Sequence, residues 1–381
     1  GWQHSPCERV RLIPVAYGRG FNATAGYALA LGRLLGGAGH EVMAIVPPGN
    51  ETSERAKARP SRRVEMDLNS PGPVAVIRQL SNMRKCLKNF RPDIVNCHRG
   101  EGMVLWGMLK AAGGNFALIR TRGDQRPPKA NFPNRYLHAR LADAVIATNS
   151  RTALQCRERL GVPADRLFTI PGGTDRHQFP RDPEAGLEVR RSLGIDDNQM
   201  IVGLLGRFDP VKGHRELMRA FSAVRSKTGS ARLFRLMLVG YPAGISLEEM
   251  RSMAASFGLE DSIIIADRVE RTASFINAMD MAVVASQGSE AIARAAFEIM
   301  SCNTPLIATD VGVMPDLLSA RALCPTGDHE ALERLLGQAM FEPDFRQSLR
   351  DEQGLRSLEF SSERFMEQTL EVYRAAIATA G

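Results

Sequence analysis

Two carboxylates in the second half of the chain, Glu290 and Glu298, have the spacing and surroundings of a binding site. Seven residues separate them in S-E-A-I-A-R-A-A-F-E, which follows the apolar run of residues 281–285. The pattern predicts a strand, a short loop and a helix whose N-terminus offers free N–H groups to an anion. Carboxylates repel an anion, so another task is expected of them, and accepting hydrogen bonds from sugar hydroxyls fits that task.

Two cations precede this segment in G-L-L-G-R-F-D-P-V-K-G-H. Gly206 ends a predicted strand, and Arg207 and Lys212 fall in the loop before the next helix. An arginine that can bind two oxygens and a lysine that supplies a mobile charge suit a diphosphate. The same pattern also fits two solvated surface cations beside an Asp-Pro turn.

Alternating strands and helices must position these residues. Predicted strands at residues 9–16, 41–46, 93–97, 116–121, 144–148 and 167–170, and again from 201 to 309, alternate with helices. This alternation predicts an α/β protein with mostly parallel sheets, and the length of 381 residues predicts two domains. A Gly- and Pro-rich stretch at residues 171–194 is the predicted linker. Ligands are expected at the carboxyl ends of the strands, facing a cleft between the domains.

Charge is distributed unevenly. The net charge is +7, but residues 1–180 hold 27 Lys and Arg against 13 Asp and Glu, whereas the remainder holds 22 against 29. The basic half is expected to meet an anionic partner. An acidic substrate, a membrane surface and nucleic acid all fit, as does a solvated face without a partner, but no nucleic-acid motif is present.

Several features bear on the compartment. There is no run of 18 apolar residues, and G-W-Q-H-S-P-C lacks the apolar core of a signal peptide. The six cysteines form no C-x-x-C pair and have no zinc-like spacing, so reduced thiols are expected. We therefore expect a cytoplasmic protein, peripheral on the inner membrane if its basic segments at residues 84–91 and 135–140 lie on anionic lipid.

An ordered series of motifs resembles the retaining glycosyltransferases of the GT-B fold, family 4 (group 1). It comprises G-R-F-D-P-V-K-G-H, L-M-L-V-G, E-x7-E and P-L-I-A-T-D-V-G, preceded by R-P-D-I-V-N-C-H, A-D-A-V-I-A-T-N-S and L-F-T-I-P-G-G-T-D. The resemblance covers nearly the whole chain. It implies two Rossmann-like doubly wound domains: residues 1–178 on the acceptor side, joined by a terminal helix at 362–381, and residues 179–361 for the donor.

The resemblance also implies residue roles. Arg207 and Lys212 would neutralise the donor diphosphate, Glu298 would bind the ribose, and Glu290 would contact the transferred sugar. His98 would touch that sugar from the first domain, unless it is simply a satisfied histidine at a strand end. The remaining implied donor contacts are Gly206, Gly240, Gly18, Gly20 and the backbone of Ala291, Ile292 and Ala293.

The implied reaction moves a sugar from a UDP-, GDP- or ADP-linked donor to a saccharide or lipid-linked acceptor, in lipopolysaccharide or envelope glycan synthesis. The family is thought to retain configuration by a front-face route in which the leaving phosphate helps to take the acceptor proton. No Asp-x-Asp motif is present, so no metal and no further cofactor are expected.

Two departures from the family pattern stand out. Many relatives have E-G-F-G where this chain has residues 290–293, and the lost glycines restrict close backbone approach. Relatives often place a histidine where this chain has Gly123, in a loop that carries Arg122, Arg126 and Lys129 instead. An anionic acceptor would explain those cations.

Three other functions stay open. The lost glycines leave room for a non-catalytic sugar-nucleotide-binding protein. A nucleotide-sugar epimerase or a sugar-phosphate synthase would use the same double fold. A nicotinamide-dependent enzyme is disfavoured, because G-x-G-x-x-G is absent after the first strand.

Overall fold

The computed structural model describes residues 9–16, 22–57, 62–124, 126–228, 231–288 and 290–380. They form two compact units. The first contains the described residues up to Gly172 together with the helix that begins at Ser362, and the second is Gly173–Ser361.

Each unit is built on one parallel sheet, as the alternating pattern predicts. The strands are β1 (Arg11–Val15), β2 (Glu41–Val46), β3 (Arg62–Glu65), β4 (Ile94–Cys97), β5 (Ala117–Arg122), β6 (Ala144–Ala147), β7 (Leu167–Thr169), β8 (Met200–Leu205), β9 (Phe234–Gly240), β10 (Ile263–Asp267), β11 (Met281–Val284), β12 (Leu306–Thr309) and β13 (Leu323–Cys324). The sheet orders are β3-β2-β1-β4-β5-β6-β7 and β10-β9-β8-β11-β12-β13. Both are doubly wound, which confirms the predicted α/β class.

Fifteen α-helices lie in the described part of the chain. They are α1 (Ala23–Gly37), α2 (Glu51–Lys57), α3 (Pro73–Phe90), α4 (Met103–Ala111), α5 (Phe132–Tyr136), α6 (Ser150–Leu160), α7 (Pro183–Ser192), α8 (His214–Ser226), α9 (Leu247–Ser256), α10 (Thr272–Ala278), α11 (Arg294–Ser301), α12 (Met314–Leu317), α13 (His329–Phe341), α14 (Pro343–Arg356) and α15 (Ser362–Ala380). None of these helices combines the length and apolar character needed to cross a bilayer.

The terminal helix α15 is fastened to the first unit by buried polar and aromatic contacts. Asn96 donates from Nδ2 to the Tyr373 hydroxyl at 2.7 Å. The Tyr27 ring meets Phe365 edge-on at 4.7 Å, and its hydroxyl donates to the Ile170 carbonyl. Because these groups lie in the interior, α15 completes the layer that covers one face of the first sheet.

A switch point in each sheet determines where ligands can bind. The strand order reverses between β1 and β4 in the first sheet and between β8 and β11 in the second. Loops leaving two such strands diverge to opposite faces and open a crevice at their carboxyl ends. Arg207 and Lys212 follow β8 and Glu290 follows β11, so all three belong to the second switch point.

The structure differs from the sequence predictions in two places. Helix α7 occupies much of the stretch predicted as a linker, where Asp182 accepts a hydrogen bond from the Ala185 N–H as its N-cap. The short strands β3 and β13 were not predicted. Both pair along one side only, and β3 reads R-R-V-E, which lacks the apolar run of a central strand.

Candidate functional site

Lys212 and Glu290 form the centre of the site in the second unit. Lys212 donates from Nζ to Glu290 Oε1 at 2.5 Å, and the Ser286 hydroxyl donates to the same oxygen at 2.5 Å. The Glu290 side chain is 5% exposed and that of Lys212 is 20% exposed. A largely buried carboxylate needs such compensation, because an unpaired charge in the interior is costly.

The loop that carries Lys212 packs directly on the end of β11. Gly213 has φ +74°, and a Cβ at this position would lie 1.9 Å from the Ala285 carbonyl oxygen. Gln287 donates its N–H to the Val211 carbonyl at 2.8 Å. Residue 213 therefore has to be glycine, because its left-handed backbone and its close approach to Ala285 both exclude a side chain. Together these contacts bring Lys212, which follows β8, close to Glu290, which follows the neighbouring strand β11.

The backbone of Glu290 is held from the other side by the loop after β12. Gly312 has φ +58°, and a Cβ there would lie 2.1 Å from the Glu290 carbonyl oxygen. That carbonyl accepts the Val313 N–H at 2.8 Å, and the Thr309 hydroxyl donates to the Ser286 carbonyl at 2.6 Å. Sequence reasoning missed Ser286, Gly312 and Thr309. Each of these residues lies at or just after the end of a strand, and that position could have identified it from the sequence.

Arg207 is the more accessible cation of the site. Its side chain is 46% exposed, and it donates from Nη2 to Asp209 Oδ2 at 3.1 Å. Asp209 also accepts the Val211 N–H, which caps the single turn Pro210–Lys212. An exposed ion pair contributes little stability, so Arg207 can exchange this partner for a ligand at small cost.

The helix after Glu290 begins later than a direct loop-to-helix junction would require. Ala291 and Ile292 lie in a bend, and α11 begins at Arg294 with Ala293 as its N-cap residue. The Ala293 carbonyl accepts the Ala296 N–H at 3.0 Å. Ala291 and Ala293 are both buried, so their methyl groups fit within the second unit.

Glu298 lies in the first turns of α11 and is buried. Arg294, one turn earlier, donates from Nε to Glu298 Oε1 at 2.9 Å, yet the arginine side chain itself is 74% exposed. Burial raises the pKa of Glu298, and Arg294 opposes that shift only in part. The carboxylate is therefore a strong acceptor with one exposed partner.

Gly206 and Gly240 stand side by side at the ends of β8 and β9. A Cβ on Gly240 would lie 1.9 Å from the Gly206 carbonyl oxygen, so packing alone requires a glycine there. Gly206 differs, because the nearest atom to a Cβ would be the Lys212 side chain at 3.7 Å. Nothing within the described protein requires glycine at residue 206, which leaves close approach of a ligand as a reason for it.

His98 follows β4 at the switch point of the first unit. The side chain is fully buried, its ring lies 5.8 Å from that of Tyr27, and neither ring nitrogen has a protein partner among the described residues. Burial, reinforced by Arg120, lowers the pKa of His98 to about 3. The imidazole is therefore neutral at physiological pH. Gly18 and Gly20, the other predicted contacts of this unit, lie outside the described residues.

Three arginines converge on one carboxylate beside His98. Arg120 is 1% exposed and donates to Asp124 Oδ2 at 3.1 Å, while Arg122 and Arg99 approach Asp124 at 3.6 and 4.0 Å. Arg120 also donates to the Cys97 and Thr121 carbonyls. Sequence reasoning named Arg122 but missed Arg99, Arg120 and Asp124. Two arginines in the otherwise apolar strand A-L-I-R-T-R were the available signal.

Potential metal ligands are scattered. Within the described ranges, no three His, Cys, Asp or Glu side chains lie together in a way that could hold an ion.

Comparisons with known proteins identify the family of the chain. Residues 187–353 match the model of the glycosyl transferases group 1, and residues 25–178 match that of glycosyltransferase family 4. The chain is 28% identical over 246 residues to a D-inositol 3-phosphate glycosyltransferase of Acidothermus cellulolyticus, a match that covers 62% of this chain and 54% of the relative. The chain thus spans about half the length of the curated relatives it matches.

Solved structures share the fold. A glycosyltransferase from Rickettsia africae superposes with a TM-score of 0.84 at 17% identity, covering 97% of this chain and 99% of the other. Anabaena HepE in complex with UDP-glucose gives a TM-score of 0.78 at 15% identity, covering 96% of this chain and all of the other. The two family matches, the paired doubly wound sheets and the E-x7-E carboxylates together show that the chain belongs to the GT-B glycosyltransferases of group 1 and family 4.

Proposed function

We propose that this chain transfers a sugar from a nucleotide diphosphate donor to a saccharide or lipid-linked acceptor, with retention of configuration and without a metal ion. The observation that carries the proposal is the convergence of Arg207, Lys212 and Glu290 at the switch point of the second sheet. Two cations and a buried carboxylate lie at the carboxyl ends of neighbouring strands. The cations suit a diphosphate, and the carboxylate suits the hydroxyl groups of a sugar joined to it.

The leaving diphosphate is the charge that the site has to stabilise. Negative charge builds on it as the bond to the anomeric carbon breaks, and preorganised cations stabilise that charge most effectively. Arg207 and Lys212 take this role, and the backbone of residues 291–293 adds N–H groups near the start of α11. These groups supply the positive charge that a bound ion supplies in other enzymes.

The two carboxylates divide the rest of the donor. Glu298, which accepts a hydrogen bond from the exposed Arg294, accepts further hydrogen bonds from the ribose. Glu290, already adjacent to Lys212, contacts the transferred sugar near its reacting carbon. In the first unit, His98 offers an N–H to a sugar hydroxyl, because a neutral buried imidazole has a donor to satisfy. Gly206 and Gly240 let the backbone approach the donor.

Retention follows from a front-face route in this proposal. The acceptor hydroxyl approaches on the side that the diphosphate leaves, and the leaving phosphate oxygen takes the acceptor proton. The carboxylate of Glu290 is already bonded to Lys212 and Ser286. That arrangement suits a group that orients the sugar better than one that attacks it.

An anionic acceptor fits the first unit. Arg99, Arg120 and Arg122 lie around Asp124, and Arg99 also pairs with Glu101 at 3.2 Å. Three cations therefore face two carboxylates there, which leaves an excess of positive charge. An acceptor phosphate would balance the excess. The matched relative from Acidothermus cellulolyticus is a D-inositol 3-phosphate glycosyltransferase, a name that refers to a phosphorylated compound. We extend the proposal to a phosphorylated, lipid-linked acceptor of lipopolysaccharide or envelope glycan synthesis.

Thermal shift with UDP-, GDP- and ADP-sugars is the first test, because a ligand that binds the folded state raises the apparent stability. The donor that stabilises the protein is then incubated with phosphorylated and neutral acceptors, with and without EDTA, and products are identified by mass spectrometry and by NMR of the anomeric proton. Transfer with retained configuration, unaffected by EDTA, is expected. Donor hydrolysis or epimerisation without an acceptor, or tight binding without turnover, would contradict the proposal.

The anionic acceptor has its own test. Arg99→Gln should lower kcat/KM for a phosphorylated acceptor by about 10-fold or more, since a hydrogen bond to a charged group contributes about 1.5–3 kcal/mol. Its effect on a neutral acceptor should be small. Arg11→Gln, which removes another paired arginine of the first unit, is the matched control. Equal losses with both acceptors would place Arg99 outside phosphate recognition.

A further inference from the structure

Three neighbouring helices of the first unit present an unusual outer surface. Helices α3, α4 and α5 with its continuation Leu137–Leu141 cover one face of the first sheet, and we call them the α3–α4–α5 layer. Helix α3 contacts α4, and α4 contacts Leu137–Leu141, where a Cβ on Gly107 would lie 2.5 Å from Leu137. Their inner side chains, among them Met83 and Trp106, belong to one core cluster with the strands.

The outer side of this layer carries large apolar side chains in pairs. Each pair is three or four residues apart and so lies on one side of its helix. All six side chains are between 48 and 80% exposed: Val74 and Ile77 on α3, Val104 and Met108 on α4, and Phe132 and Tyr136 on α5. The two aromatic rings stack at 6.2 Å. Exposed apolar pairs on three helices of one unit are a feature of surfaces that bind a partner.

The charges of the same layer have one sign. No Asp or Glu occurs in α3, α4, α5 or Leu137–Leu141, whereas seven Lys and Arg do. One of them, Lys110, is paired with Asp143 at 3.0 Å. The four on α3 form no ion pair within the described part of the chain: Arg78, Arg84, Lys85 and Lys88.

Helical geometry places the α3 cations beside its apolar residues. At 100° per residue, Val74, Ile77, Arg78, Lys85 and Lys88 all point to one side of α3. All five are exposed, whereas Met83 and Phe90 on the opposite side are buried. Exposed apolar side chains flanked by unpaired cations match an interface whose outer layer is anionic and whose interior is apolar.

We propose that the outer side of the α3–α4–α5 layer docks on a bilayer that contains anionic lipids. The apolar pairs enter the boundary between headgroups and acyl chains, and the α3 cations contact lipid phosphates. The inference rests on the proposed function for its purpose, because a lipid-linked acceptor lies in a membrane. The surface consists of residues of the first unit alone, whereas Lys212 and Glu290 belong to the second unit and its sheet.

Vesicle co-sedimentation tests this surface. The purified chain should bind vesicles of phosphatidylcholine with phosphatidylglycerol, and bind phosphatidylcholine alone at least 10-fold more weakly. Added salt should weaken the anionic binding through screening. Lys85→Gln with Lys88→Gln should weaken it about 10- to 30-fold, because each cation near an anionic surface contributes about fivefold. Ile77→Ser with Phe132→Ser should reduce binding and leave its salt dependence in place.

Matched controls come from the second unit. Arg191→Gln with Arg251→Gln removes two exposed cations, and Leu355→Ser removes an exposed apolar side chain. None of these should change vesicle binding. The rise in Tm on adding UDP-glucose, measured for every variant, reports the donor site separately. A lost Tm shift with intact vesicle binding would contradict the proposed function alone.

Three results would overturn the docking proposal. The first is equal binding to neutral and anionic vesicles, and the second is no binding to either. The third is a concentration-dependent dimer in analytical ultracentrifugation that Ile77→Ser with Phe132→Ser abolishes, which would assign the surface to a second copy of the chain. Binding that the α3 variant reduces and the controls leave unchanged would support docking.

Discussion

Lys212 and Glu290 meet across the switch point of the second sheet, with Nζ 2.5 Å from Oε1. The pair joins the end of β8 to the end of β11, and Gly213 and Gly312 hold the two sides in place from left-handed backbone positions. A bound donor would replace the bond between Lys212 and Glu290 by two bonds to itself. Its diphosphate would bind Lys212, and its sugar hydroxyls would bind Glu290. The resting pair thus keeps each group buried, compensated and oriented for its ligand.

Removing the Lys212 ammonium should slow transfer strongly. Lys212→Ala is expected to lower kcat about 100- to 1,000-fold, or about 3–4 kcal/mol, by analogy with the loss of one oxyanion donor. Steady-state release of the nucleotide diphosphate measures this. Lys227→Ala, which removes an exposed lysine paired with Glu333, is the control. Unchanged turnover in folded Lys212→Ala protein would exclude Lys212 from diphosphate stabilisation.

Glu298→Gln should weaken nucleotide binding while improving stability at higher pH. The folded protein raises the pKa of Glu298 by burial, so the folded state binds more protons than the unfolded state above the ordinary pKa. Stability therefore falls as pH rises through this range, and the glutamine variant should lack that decline. Thermal denaturation from pH 4 to 8 and UDP titration test both halves. Unchanged UDP affinity would contradict the ribose role.

Alanine substitutions at Gly206 and Gly213 distinguish a glycine needed for ligand binding from a glycine needed for packing. Gly206→Ala should change the free energy of unfolding by less than about 0.5 kcal/mol, yet raise the KM for the donor, because space exists for its Cβ. Gly213→Ala should cost about 1–3 kcal/mol, because its φ of +74° and the Ala285 carbonyl both exclude a side chain. Chemical denaturation measures the two values. A normal donor KM for Gly206→Ala would remove residue 206 from the donor site.

Buried histidines should make the fold acid-sensitive. Burial lowers the pKa of His98 to about 3 and those of His138 and His214 to about 4. The unfolded chain takes up these protons near pH 6.5, so stability that is complete above that pH falls as the pH is lowered, by up to about 1.4 kcal/mol per pH unit for each histidine. Burial also lowers the pKa of His40, so His98→Gln should remove only part of the slope measured by urea denaturation between pH 6.5 and 5. His177→Gln, a substitution at an exposed histidine, is the control. An identical slope in His98→Gln would show that His98 does not titrate as described.

Alternation of apolar runs with helices was enough to predict both sheets and their central strands. Central parallel strands read as uninterrupted apolar runs, such as M-A-V-V before Ser286. Edge strands carry no such run, which is why R-R-V-E was not recognised. The boundary between the two units, after Gly172, lies within the stretch predicted as a linker, residues 171–194. The second part of that stretch is helix α7, because Pro and Gly also serve helices, and Pro183 occupies the first turn of α7.

For the site, the sequence predicted residue types but not partners. The motif series named Arg207, Lys212, Glu290 and Glu298, yet neither their spacing nor their types showed that Lys212 bonds Glu290 across 78 residues. The arginines around Asp124 stayed hidden because burial of a charged side chain depends on tertiary contacts. Sequence patterns report which face a residue takes, and long-range pairs appear only once the sheet order is known.

Calorimetric titration of UDP, GDP and ADP into the wild type, Lys212→Ala and Glu290→Gln measures whether Lys212 binds the donor diphosphate. One nucleotide diphosphate should bind the wild type, and Lys212→Ala should weaken that binding about 10- to 100-fold, as expected for a lost charge-assisted hydrogen bond. Glu290→Gln should bind it at least as tightly, because Lys212 is then released from its internal partner. Equal affinities for the wild type and Lys212→Ala would contradict the role of Lys212 in diphosphate binding. No binding of any nucleotide diphosphate to the wild type would contradict the proposed donor site.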